Sequence, residues 1–184
     1  MYNEYMKILG IGGTLRKGSY SKALLLEAQK LAPKGIVIEL TDIGDFPLYN
    51  PDIEVPVVVQ DFKNKIKEAD AILFSTAEYN FSIPGSLKNA LDWASRPYGD
   101  NSWEDKPAAI MSESIGMLGG IKAQSHLRQT IIFANMHPLN RPEVIIGSVA
   151  EKFDESGNLT DEHTKEKIKE LLQALADWTE RLNR

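Results

Sequence analysis

The sequence predicts a doubly wound α/β fold, a five-stranded parallel sheet with helices on both faces, and three observations carry that prediction. Short apolar runs recur without the polar alternation of a half-exposed strand, so each is buried on both sides, the condition of a helix-covered parallel sheet. Segments with apolar residues at helical spacing separate these runs. Gly, Pro, Asn and Asp punctuate the junctions, and such strand–helix alternation folds as a layered sheet.

The first strand is Met6 to Ile11, an apolar run that ends in glycines. A helix over Ser21 to Leu31 follows, with Ala23, Leu24, Ala28 and Leu31 at helical spacing and Pro33-Lys34-Gly35 as its stop signal. Ile36 to Leu40, β-branched in character, is the second strand, and a loop rich in Pro, Asn and Asp covers Gly44 to Pro56. Val57 to Glu68 is helical by Val58, Phe62, Ile66 and Ala69, and Asp70 leads into the third strand, Ala71 to Ser75. Pro84 to Ser95 is a helix with proline in its first turn, where a missing N–H costs nothing. Ala108 to Ser112 is the fourth strand, Gly119 to Asn135 a helix, and Glu143 to Gly147 the fifth strand. Thr160-Asp161-Glu162-His163 caps the last helix, whose Ile168, Leu171, Leu172, Leu175 and Trp178 form one stripe.

At 184 residues the chain has the size of one domain, 1–184, and needs no metal or disulfide staple to build a core. Its 21 Lys+Arg against 26 Asp+Glu leave a net charge of −5, which argues against the basic stripe that nucleic-acid binding needs. With no cysteine there is no disulfide framework, Cys-ligated zinc, iron–sulfur cluster or thiolate nucleophile. Among His126, His137 and His163 no pair has the i, i+4 spacing of a helical zinc site, so no metal is expected. No apolar run approaches the ~18 residues of a membrane span. Met1-Tyr2-Asn3-Glu4-Tyr5 carries an acid where a signal peptide would carry lysines, so a cytoplasmic location without a membrane partner is expected.

In an open parallel sheet ligands bind beyond the carboxyl ends of the strands, near the point where strand order reverses. The loops after the first, third and fourth strands are therefore the candidates. The first runs Gly12-Gly13-Thr14-Leu15-Arg16-Lys17-Gly18-Ser19-Tyr20-Ser21, and two phosphate fingerprints fail on it. The dinucleotide pattern would need glycine at Leu15, and the P-loop pattern would need lysine at Ser19. What remains is hydroxyls from Thr14, Ser19 and Ser21, the Arg16 guanidinium and the N–H groups of a helix start. Those donors suit the three oxygens of a terminal phosphate monoester, as in a mononucleotide. The alternative is a plain Ser/Gly loop with Ser21 as N-cap.

The loop after the third strand, Thr76 to Gly85, places Glu78, Tyr79, Asn80 and Phe81 at the same edge. An aromatic ring there can cover a flat heterocycle while backbone groups address its polar rim, or Tyr79 and Phe81 can simply close the core. The loop after the fourth strand, Ser112 to Gly120, has serines and three glycines that let a backbone approach a ligand closely.

Longer patterns run through these loops. Gly13-Thr14-Leu15-Arg16-Lys17-Gly18-Ser19 follows G-S-x-R-x-x-S, and Pro47-Leu48-Tyr49-Asn50-Pro51-Asp52 precedes Glu78-Tyr79-Asn80. Pro84-Gly85-Ser86-Leu87-Lys88-Asn89-Ala90-Leu91-Asp92-Trp93 is the most specific stretch, and Ser114, Gly116, Gly119-Gly120, Ala123-Gln124 and Leu127-Arg128 complete the set. On these residues, spread over nearly the whole chain, the sequence resembles the NADPH-dependent FMN reductase family of flavodoxin-like proteins, the group that includes chromate, quinone and azo-dye reductases. Thr14 stands where the family's serine is usual, Ser21 where many members carry asparagine, and Ala77 where proline usually precedes Glu-Tyr-Asn.

The resemblance implies a flavodoxin-like sheet of order 2-1-3-4-5 and bound FMN. It implies that Thr14, Arg16, Ser19 and Ser21 hold the phosphate, and that Ala77, Glu78, Tyr79 and Asn80 meet the isoalloxazine or ribityl chain. Ser114 and Gly116 would line the other edge. It further implies hydride transfer from NADPH or NADH through FMN to a small electron acceptor: a quinone, azo compound, metal oxyanion or free flavin. The flavin carries that chemistry, so no catalytic side chain is required, and Glu78 reads as positional. A homodimer or homotetramer with the flavin near the interface is expected. A non-catalytic flavodoxin-type electron carrier is the alternative, although the net charge of −5 is modest for docking basic partners.

Other features have structural readings: His126 on a helix face, His137 in a loop before Pro138, His163 in a first helical turn, and Trp93 and Trp178 in packing. Arg96 to Lys106, with Pro97, Tyr98, Gly99 and Trp103, reads as a loop exposing aromatics beside the site, either shaping the nicotinamide side or meeting a partner subunit.

Overall fold

The computed structural model of the chain describes residues 5–183. Its strands are β1 (Met6–Gly12), β2 (Ile36–Thr41), β3 (Ala71–Ala77), β4 (Pro107–Glu113), β5 (His137–Pro138) and β6 (Val144–Ile146). The helices are α1 (Tyr20–Leu31), α2 (Val57–Glu68), α3 (Gly85–Ala94), α4 (Ile121–Phe133) and α5 (Glu162–Leu182), with a single 3₁₀ turn at Val149–Lys152. All pairings are parallel and the order is β2-β1-β3-β4-β5.

The fifth position differs from expectation in one respect. Two short segments share it: β5 pairs with the start of β4 and β6 with its end. Pro138 and Pro142 have no N–H to offer a ladder, and the chain leaves the sheet between them and returns at Val144. His137 is accordingly a strand residue, its N–H donating to Lys106 O at 2.9 Å, rather than part of a loop.

Alternation along the strands sorts the core into two layers. Leu9, Ile11, Ile72, Phe74 and Ile110 face α2, α3 and α4, through Phe62, Ile66, Leu87, Leu91, Leu127 and Ile131. Ile8, Leu73, Ala109, Met111 and Ile146 face α1 and α5, through Leu24, Leu25, Ile168, Leu171 and Leu172. Each helix lays its apolar stripe on the sheet, which is why the periodicity in the sequence was readable.

The Arg96 to Lys106 segment does not lie where it was expected. α3 runs back against the strand direction, so the chain that follows it sits at the amino-terminal edge of the sheet, opposite the candidate loops. Lys106 Nζ reaches Ala69 O there at 2.6 Å. Trp103 is fully buried, with Nε1 donating to Leu91 O, whereas Tyr98 is exposed under the Arg96 guanidinium. Lys63, also fully buried on α2, fastens this segment by donating to Arg96 O and, at 2.6 Å, to Asp100 Oδ2. Lys67 Nζ takes the other oxygen of Asp100 at 2.6 Å.

These two lysines hold the Asp100 carboxyl below its ordinary value of 3.8. Its stabilising contribution is therefore complete above that value and fades as pH falls through the lower folded-state value. Asp100→Asn leaves a buried ammonium without its counter-charge and should cost about 2 kcal/mol in urea unfolding at neutral pH, with the difference from wild type shrinking below about pH 4. A difference that persists unchanged in acid would refute the pairing.

Candidate active site

Parallel register sets the ends of the central strands level: Gly12 lies beside Ser75, Ala77 beside Glu113, and Glu113 beside Ile146. The loops after β1, β3 and β4 therefore open side by side. Gly13 is held down by its N–H to Ser75 O and by Ser86 Oγ donating to Gly13 O, both 2.8 Å. Beyond it Thr14 Oγ1 meets Tyr79 Oη at 2.9 Å, joining the first loop to the second. Arg16 folds back so that Nε and Nη2 both donate to Gly18 O, at 3.2 and 2.7 Å. A guanidinium has five N–H donors, and among the described residues the rest are left for an anion. Ser19, not Ser21, is the N-cap of α1, its Oγ accepting from Lys22 N.

The loop after β3 is a two-residue hairpin closed by reciprocal bonds between Tyr79 and Ser82, at 2.9 and 3.0 Å. Both central residues are left-handed, Asn80 at φ 51 and Phe81 at φ 66, the signature of a primed turn. Asparagine tolerates that region, whereas phenylalanine is strained in it. The Lys122 ammonium, 3.2 Å from the centre of the Phe81 ring, offsets part of the cost. Tyr79 and Phe81 are exposed, so neither closes the core.

Glu78 has a role that its sequence position did not reveal. α4 begins after left-handed Gly120, which has no side chain to cap it. Glu78 Oε2 accepts from Lys122 N and Ala123 N, at 3.0 and 3.1 Å, and so caps a helix 44 residues away. A carboxylate at a helix start also meets the positive end of its dipole. Ser82 Oγ and His126 Nδ1, 2.6 Å apart, add a second tie between the hairpin and α4.

The glycines after β4 mostly serve the chain's own packing. A Cβ on Gly120 would stand 3.0 Å from Glu113 O, and one on Gly119 would collide with Gly147 N at 2.8 Å. Ser114 Oγ accepts from Gly116 N at 3.1 Å, making a local turn.

One cavity of about 190 Å³ lies between the three loops. Of the expected site residues it brings together Thr14, Arg16, Ser19, Ala77, Glu78, Tyr79 and Ser114, and adds Tyr20, Glu113 and Ile115. Asn80 and Gly116 lie outside its lining. Ser21 is fully buried and donates to Glu113 Oε1 at 2.6 Å, so its hydroxyl is committed inside the fold rather than offered to the loop. Glu113 itself is buried, and burial raises its carboxyl above the ordinary range while Ser21 and Arg16 oppose that rise. A second cavity, of about 350 Å³, lies on the other side of the first loop, against Lys17, Lys22 and Asp42, and touches neither β3 nor β4. The smaller cavity is the one bounded by hydroxyls, a guanidinium, a helix start and an aromatic hairpin together.

Comparison with known proteins agrees over the whole chain. The sequence profile of the NADPH-dependent FMN reductase family matches residues 6–151. An NAD(P)H-dependent FMN reductase of Pseudomonas aeruginosa is 51% identical over 183 residues, 98% of each chain. An NADPH:quinone oxidoreductase of Arabidopsis thaliana is 46% identical, covering 96% of this chain and 93% of its own. The solved structure of FerB, a flavoenzyme NAD(P)H:(acceptor) oxidoreductase from Paracoccus denitrificans, superposes with a TM-score of 0.88 at 39% identity, over 96% of this chain and 98% of that one.

The Glu78 cap can be tested apart from any activity. Glu78→Ala strands two N–H groups of α4 and should lower unfolding stability by about 1 kcal/mol. Glu78→Gln, which keeps an acceptor oxygen, should lose less than half of that. Equal stability of Glu78→Ala and wild type in urea would remove the cap.

Proposed function

The chain belongs to the NADPH-dependent FMN reductase family, and from that premise we propose that the cavity between its three loops holds FMN, with the phosphate on the loop after β1. The observation that carries this reading is the convergence in one cavity of Thr14, Ser19, Arg16 and the start of α1 with the Tyr79 hairpin. The donor set suits a phosphate monoester: hydroxyls, spare guanidinium N–H groups already oriented by Gly18 O, and helix N–H groups. The whole chain, 1–184, then acts as one flavin-binding unit.

The protein is an NAD(P)H-dependent oxidoreductase of the FMN and quinone reductase type. Bound FMN supplies the two-electron chemistry between the nicotinamide donor, NADPH or NADH, and the acceptor. The protein's part is to hold and orient. Arg16 and Ser19 fix one end of the ligand, Ala77 to Tyr79 at the end of β3 meet the other, and Glu78 keeps that segment aligned by tying it to α4. We take a small quinone as the acceptor, supported by the full-length similarity to quinone reductases. We also propose that the chain works as a homodimer or homotetramer. Ile115, Met117 and Leu118, 62 to 86% exposed, form an apolar rim beside the cavity of the kind a second subunit covers.

Anaerobic addition of NADPH to the flavin-loaded protein should bleach the flavin absorbance rapidly, and benzoquinone should restore it. A yellow protein that stays yellow under NADPH and NADH would contradict the assignment. Arg16→Ala should raise the Kd for FMN by roughly tenfold or more through loss of charge-assisted bonds, with an unchanged circular dichroism spectrum and unchanged affinity for riboflavin. An unaltered FMN Kd would move the phosphate away from this loop.

A further inference from the structure

Glu113 ends β4, is 4% exposed, and lines the cavity that contains Thr14, Arg16 and Ser19. Its carboxyl accepts from Ser21 Oγ at 2.6 Å, and the Ser21 backbone N–H in the first turn of α1 also favours its charged form. The groups around it bring little compensating charge. The first loop and α1 contribute Arg16 and Tyr20, and the end of β3 contributes Glu78 and Tyr79. The loop after β4 brings Ser114 and Ile115 to the cavity. The 3₁₀ turn turns Val149 toward this face of the sheet, and α5 packs apolar side chains against it, Ile168 and Leu171 among them. Arg16 is the cation among these, and two of its donors are already on Gly18 O.

An ionised Glu113 and a phosphate dianion would therefore share one small, weakly screened space, where like charges repel strongly. A protonated Glu113 removes that repulsion and leaves an O–H available to the ligand, since Ser21 is the donor in the contacts the carboxyl makes inside the fold. We propose that Glu113 is a proton-linked flavin-binding residue: the site accepts the phosphate tail with Glu113 protonated, so that FMN binding takes up a proton and FMN retention weakens as pH rises. The inference rests on the phosphate reading of the first loop and adds to it a pH-dependent retention of the cofactor. Burial, which already favours the neutral carboxyl in the free protein, works in the same direction.

The test titrates the flavin-free protein with FMN and with riboflavin, following quenching of flavin fluorescence, from about pH 6 to about pH 9. The wild-type Kd for FMN should rise by roughly tenfold or more across that range, whereas Glu113→Gln, neutral at every pH, should hold its Kd within about threefold. Riboflavin, which lacks the phosphate, should show no such slope in either protein. Calorimetry of FMN binding to the wild type in two buffers of different ionisation enthalpy should show net proton uptake within that range, a readout that does not depend on the variant folding. The same FMN slope in wild type and Glu113→Gln, an equally steep slope for riboflavin, or proton release on binding would each overturn the role of Glu113. Failure of FMN to bind any better than riboflavin at every pH would instead overturn the phosphate reading itself.

Discussion

The carboxylate of Glu78 on the N–H groups of Lys122 and Ala123, in the first turn of α4, is the contact on which the geometry of the candidate site turns. α4 begins at a left-handed glycine because the loop before it must pass close to Glu113 and Gly147, and a side chain able to cap the helix would not fit there. The cap has to come from another strand, and the residue next to the end of β3 is at the right height because Ala77 and Glu113 are in register. The two later loops thus hold each other. The first loop joins them through Thr14 and Tyr79, and a change in any of the three is felt by the others.

Electrostatics then divides the cavity. Arg16, Ser19 and the start of α1 make one side attractive to an anion. Glu113 makes the floor beneath it unfavourable unless a proton is present. An anion site with an acid in its wall binds more weakly than one without, and in exchange its affinity responds to pH over a range where the carboxyl titrates. The strained Phe81 is the other departure from a generic loop, exposed at the tip of the hairpin and held by a lysine of α4.

Much of this was legible in the sequence because it rests on local patterns. The strand–helix order, the layers and the three loops follow from periodicity and turn residues, and most of the cavity lining follows from the loops. The differences have physical causes. Pro138 and Pro142 split the fifth strand, and the return direction of α3 carries Tyr98 and Trp103 to the far edge of the sheet, which a list of residues near a motif does not convey. Ser21 reads as a loop hydroxyl because a helix's first-turn serine looks the same whether it faces a ligand or the core, and in the structure it bonds Glu113. Glu113 did leave a signal: it stands two and four residues after Met111 and Ala109, on the face that packs against α1 and α5, so strand alternation alone puts it inside. The Glu78 cap joins residues 44 apart and had no such signal.

A crystal structure of the protein grown with FMN tests the central claim most directly. The account predicts phosphorus density within hydrogen-bonding distance of Thr14, Ser19 and Arg16, with the ring system reaching toward the Tyr79 hairpin. Phosphate density in the neighbouring cavity instead, against Lys17 and Lys22, with the space between the three loops left to water, would contradict it.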